Sequence, residues 1–208
     1  MSSIETGSKS PLHKVKNPSL EEMILSTLDM HLVPYKRWGS DGASKPYQEF
    51  LDSVNKNRVS WDETEPLTIR KDISVIYVLC EKNGCVYQLR ESHRTFKHNG
   101  YKCINRNDGS IGETMLDGET SLNAAVRGLE KLGQTEPRFI NEANYLLSKA
   151  EEQHDMIMQL SVAYPPLTEI LDCRTFICLT PPEYFHEQYQ FIESDKITVW
   201  KWVKVIKK

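Results

Sequence analysis

Apolar residues recur at helical spacing in several stretches of the chain and alternate with polar ones in several others. After Pro18-Ser19, the residues Leu20, Ile24, Leu25, Leu28 and Leu32 form a three- and four-residue stripe that runs up to Pro34, and Ser19 with Glu22 makes an S-x-x-E capping box at its start. A shorter helix is expected from Pro46 to Val54. Further on, Leu122, Ala125, Val126, Leu129 and Leu132 share one helical face, capped by Thr120 or Ser121 and stopped by Gly133. A longer helix is expected from about Phe139 to Leu160. Strands are expected over Ile73–Cys80 and Cys85–Arg90, where Asn83-Gly84 between two β-rich runs signals a hairpin. Two late strands, Leu171–Leu179 and Ile197–Val205, complete a mixed α/β sequence.

Residues 1–17 are rich in Ser, Lys and Pro with little to bury, and read as a disordered tail. Residues 18–66 then form an N-terminal helical extension, and 67–208 the main domain. The 208 residues are 26% charged and 39% hydrophobic, as in globular proteins that stay in water. A formal net charge of −3 gives no general attraction to nucleic acid or to an anionic membrane. No apolar run reaches the roughly 20 residues of a membrane helix. The polar start has no signal-peptide core, so a cytoplasmic or nuclear location is expected. The five cysteines form no CxxC pair and read as reduced, mostly buried thiols.

The richest segment is Gly109–Gln134. Glu119 precedes the helix that carries Arg127, near enough for the carboxylate to clamp loop to helix through a charge-assisted hydrogen bond. The stretch resembles the Nudix box, G-x5-E-x7-R-E-U-x-E-E-x-G-U, with U a bulky apolar residue. Glu119, Arg127 and Leu129 match in register, and Gly118 and Ala124-Ala125 are common in that family. Gly112 and Gly133 each sit one residue early for the motif's two glycines. Ser161–Leu167 followed by an apolar run, and the late strand with Trp200 and Trp202, resemble segments that follow the box in some eukaryotic members. The resemblance spans roughly residues 68–206.

The resemblance implies a Nudix-like α/β/α sandwich with a mixed sheet. It gives Gly118, Glu119 and Arg127 the part of bracing the box. The three carboxylates that hold Mg2+ or Mn2+ in the family fall on Gly128, Lys131 and Leu132, none of which can bind a hard cation through a carboxylate. A one-residue deletion after Leu129 brings Glu130 to one ligand position, at the cost of rotating the rest of the helix by about 100°.

The first expectation is therefore a protein that binds a small anionic ligand or a protein partner, with lost or reduced diphosphate hydrolysis and no cofactor. In it Arg90, His93, Arg94, Asp117, Lys131 and Tyr164 converge on the ligand. The alternative is a Mg- or Mn-dependent pyrophosphohydrolase of a nucleoside-diphosphate-type substrate. Its catalytic carboxylates would be Glu119 and Glu130, with Glu113 and Glu183, and Glu130 would be the metal ligand. A third possibility is an enzyme that reuses the pocket without metal, with His or Glu as acid-base group. Other clusters are His93 with His98, then Glu151, Glu152, His154 and Asp155 on the expected long helix. Trp200 and Trp202, which share one strand face with Lys201 on the other, offer an aromatic platform.

Overall fold

The computed structural model of the protein describes residues 18–40, 44–62, 67–97, 100–103 and 110–205. The expected tail, residues 1–17, and His98 lie outside the described residues. The chain divides into two compact units, Met1–Pro34 and Tyr35–Lys208. In the first, α1 (Leu20–Met30) carries the capping box: Ser19 Oγ accepts from the Glu22 amide at 3.2 Å, and the Glu22 carboxylate accepts from the Ser19 amide at 2.6 Å.

The second unit is mixed α/β. In chain order it holds α2 (Tyr47–Asn55), β1 (Ser60–Asp62), β2 (Thr68–Lys82), β3 (Cys85–Phe96), β4 (Lys102–Cys103) and β5 (Ile111–Thr114). Then come α3 (Ser121–Glu130), α4 (Arg138–Leu147), β6 (Glu151–Leu160), β7 (Thr168–Thr180), β8 (Tyr189–Ile192) and β9 (Lys196–Lys204). Both α2 and β1 belong to this unit although they precede residue 67. Among the described residues, no helix is long and apolar enough to cross a membrane.

The main path of the mixed sheet runs β6-β7-β2-β3-β9-β8. β2 is its organising strand. One edge pairs in parallel with β7 from Thr68 to Cys80, while the other edge is shared by three antiparallel partners in turn. β1 takes Thr68–Arg70, β5 takes Ile73–Ile76 and β3 takes only Leu79–Lys82. β3 turns out of the hairpin at Asn83 (φ 53°) and Gly84 (φ 70°), the left-handed pair that such a turn needs. Beyond Gln88, β3 has left β2 and runs on beside β9. β5 and β3 are both neighbours of β2 yet not of each other, so the sheet splits between them.

Along β2 the even positions Ser74, Ile76, Val78 and Cys80 have no exposed surface. They lie on the side covered by α3, whose Ala125 and Leu129 are also fully buried, with Phe139 and Ala143 of α4 in the same core. The expected stripe of α3 holds except at its first member, since Leu122 stays exposed. Gly133 is not a helix stop. It keeps an ordinary φ inside a 3-10 turn (Lys131–Gln134), and a Cβ there would collide with the side chain of Ile140. Close approach of two helical segments accounts for this glycine.

The expected helix from Phe139 to Leu160 is corrected. Only α4 is helical. The chain leaves it through 3-10-type bonds from Lys149 to Leu146 and Ala150 to Leu147, and residues 151–160 pair with β7 over their whole length. Glu, Gln, Met and Leu all favour helix, so local propensity points the wrong way; ten residues of strand pairing override it. Glu151, Glu152, His154 and Asp155 consequently point to alternating sides of a strand and form no common helix face. His154 Nε2 meets Asp172 at 2.8 Å, and Glu152 accepts from Ser121 Oγ at 3.1 Å.

Gly133→Ala is expected to lower stability by about 1–3 kcal/mol, the range for overpacking a close contact. Ile140→Ala in the same chain should return part of it, because the collision is with that side chain. Urea denaturation of the two single variants and the double variant checks this. Equal losses with no rescue would point back to a helix-stop role.

Candidate functional site

The site is built around one buried carboxylate. Glu113 of β5 stands opposite Ser74 of β2 and faces the underside of α3, with 6% of its surface exposed. Arg127 and Lys131, four residues apart, project from the same side of the helical segment. Arg127 Nη1 donates to one Glu113 oxygen at 2.5 Å, and Lys131 Nζ donates to the other. Arg127 also donates from Nη2 to Glu119 at 3.0 Å and to the Thr114 carbonyl at 3.0 Å. Glu119 further accepts from the Leu116 amide at 2.8 Å, which closes the loop around Gly118, at φ 71°. The expected clamp between Glu119 and Arg127 is therefore in place, with Glu113 and Lys131 joined to it as one network of two anions and two cations.

Gly128 makes the approach of α3 possible. A Cβ on it would lie 2.7 Å from Ile76 Cδ1, 3.0 Å from Glu113 Cγ and 3.2 Å from Ile111 Cγ2. The helix backbone thus rests directly on the β2–β5 face at this point. The carboxylate enters from β5 beneath the helix. Burial works to raise the Glu119 pKa, but the hydrogen bond from Arg127, then the Leu116 amide, outweigh it and leave the carboxyl below its ordinary value. Arg127 is shifted up by its hydrogen bond to Glu119, against partial desolvation.

Beside this network the split in the sheet opens a cavity of about 310 Å³, lined by residues of β3, β5, β8 and β9 together with Lys131. A β-bulge in β3 shapes its wall. Glu91 lies opposite Trp200 and, after a register shift, Arg94 lies opposite Thr198, so the two side chains share a face although an odd spacing would oppose them in a regular strand. Arg94 grips Glu91 with Nε at 2.8 Å and Nη2 at 2.6 Å, which holds the guanidinium pKa up. Lys196 pairs with Glu193 at 2.9 Å on the far rim. Phe191, with the Lys131 ammonium 5.6 Å from its ring centre, and Trp200 supply the apolar surface. The indole Nε1 of Trp200 is buried and, among the described residues, has no hydrogen-bond partner. The cavity therefore holds three cations, Arg94, Lys131 and Lys196, each facing its own carboxylate.

Among the residues singled out from sequence, the structure brings Arg94 and Lys131 to this cavity. Arg90 lies on the opposite face and donates to Gln88 at 3.1 and 2.9 Å. His93 is displaced from the cavity by the bulge, and burial, then Lys102 and Lys201, push its pKa down. Asp117, with Gly118 and Glu119, lines a separate shallow pocket beside Arg58 and Arg70, and accepts from Asn57 at 3.1 Å. Tyr164 is a core residue, packed 5.2 Å from Trp38 and 5.0 Å from Phe50 between ring centres, and burial pushes its hydroxyl up to about 12. Arg90, Asp117 and Tyr164 thus do not meet Arg94 and Lys131 in one pocket.

Glu130 is the last residue of α3 and is exposed, with the helix running on into the 3-10 turn rather than distorting to re-aim it. Glu183 is exposed in a 3-10 turn (Pro182–Tyr184), where its carbonyl accepts from Arg138 at 2.8 Å. Among the described residues, no three His, Cys, Asp or Glu side chains are grouped to hold a metal ion. Trp202 is not an open platform: Phe185 stacks on it at 5.2 Å and 11°. Sequence reasoning missed Glu91, Phe191, Glu193, Lys196 and Thr198, because neither the bulge nor the strand order that gathers them leaves a local signal.

Arg127→Ala should cost about 1–3 kcal/mol, since it leaves two largely buried carboxylates short of a donor. Because the Glu119 pKa is lowered in the folded state, its stabilisation is present above the ordinary carboxylate value of 4.5 and is lost as pH falls through the lowered value. The stability deficit of Glu119→Gln should then be constant from pH 6 to 8 and shrink below about 4.5. Thermal melts across that range check both; an Arg127→Ala variant as stable as wild type contradicts the clamp.

No protein-family model matches this chain, and no curated protein matches it, so its functional reading rests on the geometry of this site.

Proposed function

We infer that this protein is a Nudix-like member with a degenerate box, which binds a small anionic ligand without a metal and has lost or greatly reduced diphosphate hydrolysis. The observation that carries this reading is the ammonium of Lys131 on the buried Glu113 carboxylate. A hydrolytic site of the kind the box implies needs several free carboxylate oxygens around a divalent ion. Here both Glu113 oxygens are taken by fixed cations, Glu119 is bound to Arg127, and Glu130 is exposed at the helix end. On this reading a positive charge held by the chain itself takes over the part of a bridging cation.

The cavity supports an anion directly. Arg94, Lys131 and Lys196 line the cavity and offer charge-assisted donors for a ligand oxygen. Phe191 and Trp200 provide apolar wall for a ring carried by the same ligand. A small organic anion with phosphate or carboxylate groups fits this lining better than a bare inorganic ion, because an ion alone leaves the aromatic wall unused.

The test pairs an activity screen with a binding measurement. Nucleoside and non-nucleoside diphosphates offered with Mg2+ or Mn2+ should give no turnover above background. Calorimetric titration with nucleoside diphosphates and inorganic pyrophosphate should detect binding that persists in EDTA. Lys131→Ala and Arg94→Ala should each weaken it by about tenfold or more, the worth of one charge-assisted contact. Metal-dependent turnover abolished by Glu113→Gln would contradict the reading. Restoring the box carboxylate with Gly128→Glu should destabilise the fold by more than about 3 kcal/mol, because the space is already filled.

A further inference from the structure

β6 is an edge strand, the first on the path of the sheet, and all ten of its residues are exposed. Its two halves differ in a way that matters for an edge. Proteins guard exposed edges with charges or proline, because a free row of amides and carbonyls is a template for another strand. The first half has such guards in Glu151, Glu152 and Asp155. The second half, Met156-Ile157-Met158-Gln159-Leu160, has none. Met156, Met158 and Leu160 are 67%, 71% and 72% exposed and lie on one face of the strand, and Ile157 on the other is 45% exposed.

We propose that the Met156–Leu160 half of β6 pairs with the same segment of a second copy of this chain, antiparallel and centred on Met158, to make a twofold dimer whose sheet runs across both subunits. The register follows from two constraints. A twofold axis normal to the sheet keeps each side chain on its own face, so facing residues must share parity. Centring on Met158 meets this and sets Met156 opposite the partner's Leu160, which joins six large apolar side chains into one stripe across the axis. Charge selects among the remaining registers. Sliding the centre to Asp155 sets that carboxylate opposite its own copy, and a parallel arrangement in register sets Glu151 and Glu152 against themselves. Like charges directly opposed on adjacent strands are destabilising. Centred on Met158, the three acidic residues of each copy lie beyond the end of the other's paired segment. There they keep the bonds they already have, such as Glu152 to Ser121.

A closed isologous pair also explains why the pattern stops where it does. Ser161 is buried and its amide is spent on the Leu167 carbonyl, so the strand ends just past the last apolar position. The paired segment is short. The dimer should accordingly be concentration-dependent rather than permanent.

Sedimentation of the full chain over micromolar to submillimolar concentration is the first measurement, and a shift to twice the monomer mass is expected. Met158→Lys sets two ammonium groups against each other on the axis and should leave only monomer in the same range. If that variant fails to fold, Met158→Cys decides. On the axis, the two introduced thiols face each other at a Cα separation of about 4.5–5.5 Å, which a disulfide can bridge. Mild oxidation should therefore cross-link that variant well above the wild-type background. Met156→Cys alone should not cross-link, since its copies lie about 14 Å apart in this register. Monomer throughout, open-ended assembly, or a dimer that is indifferent to Met158→Lys and gives no cross-link with Met158→Cys would each overturn the proposal.

Discussion

Much of the site depends on how one buried anion is satisfied. A carboxylate as enclosed as Glu113 needs close cations or donors, because a buried charge left without a partner costs several kcal/mol. The structure meets this demand from one element. Arg127 and Lys131, one helical turn apart, straddle the carboxylate and take one oxygen each. This works only because the residue between them on the inner side is Gly128, whose missing side chain lets α3 settle onto Ile76, Ile111 and Glu113. The helix position, the box loop held by Glu119 and the charge at the cavity floor are thus parts of one arrangement.

The second determinant is the division of β2's free edge. With β5 and β3 both using it at different heights, the sheet cannot stay closed between them, and the gap becomes the cavity. The bulge in β3 then turns Glu91 and Arg94 to the same wall. Every cation in the lining is matched by a nearby carboxylate, so the lining is electrostatically balanced. On the proposed reading, a ligand anion would compete with those internal partners. That reading then favours anions that engage two or three of the cations at once, since a single contact only exchanges one partner for another.

Features written in short local patterns were legible in the sequence. The capping box of α1, the Asn83-Gly84 hairpin, the start of α3 at Thr120 and both late strands depend on neighbours a few residues apart. The clamp of Glu119 on Arg127 was legible as well, through its spacing and its resemblance to a known box. What escaped depends on distant partners. Residues 151–160 have helical propensity and become a strand because β7 is beside them. Gly133 reads as a stop and is a contact with Ile140, while Tyr164 reads as a ligand contact and is packed between Trp38 and Phe50. The bulge that swaps His93 for Arg94 at the cavity wall is invisible to periodicity, since a one-residue slip reverses every later side chain.

The central claim is that Lys131 and Glu113 act as a bonded pair, which closes the carboxylate to other partners. A double-mutant cycle with Lys131→Met and Glu113→Gln measures that pairing most directly, using unfolding free energies of wild type, both single variants and the double variant without added divalent ions. The account predicts a coupling of about 1–3 kcal/mol, with the double variant losing less than the sum of the two singles. Losses that add to within about 0.3 kcal/mol would mean that the ammonium and the carboxylate do not depend on each other, and would contradict it.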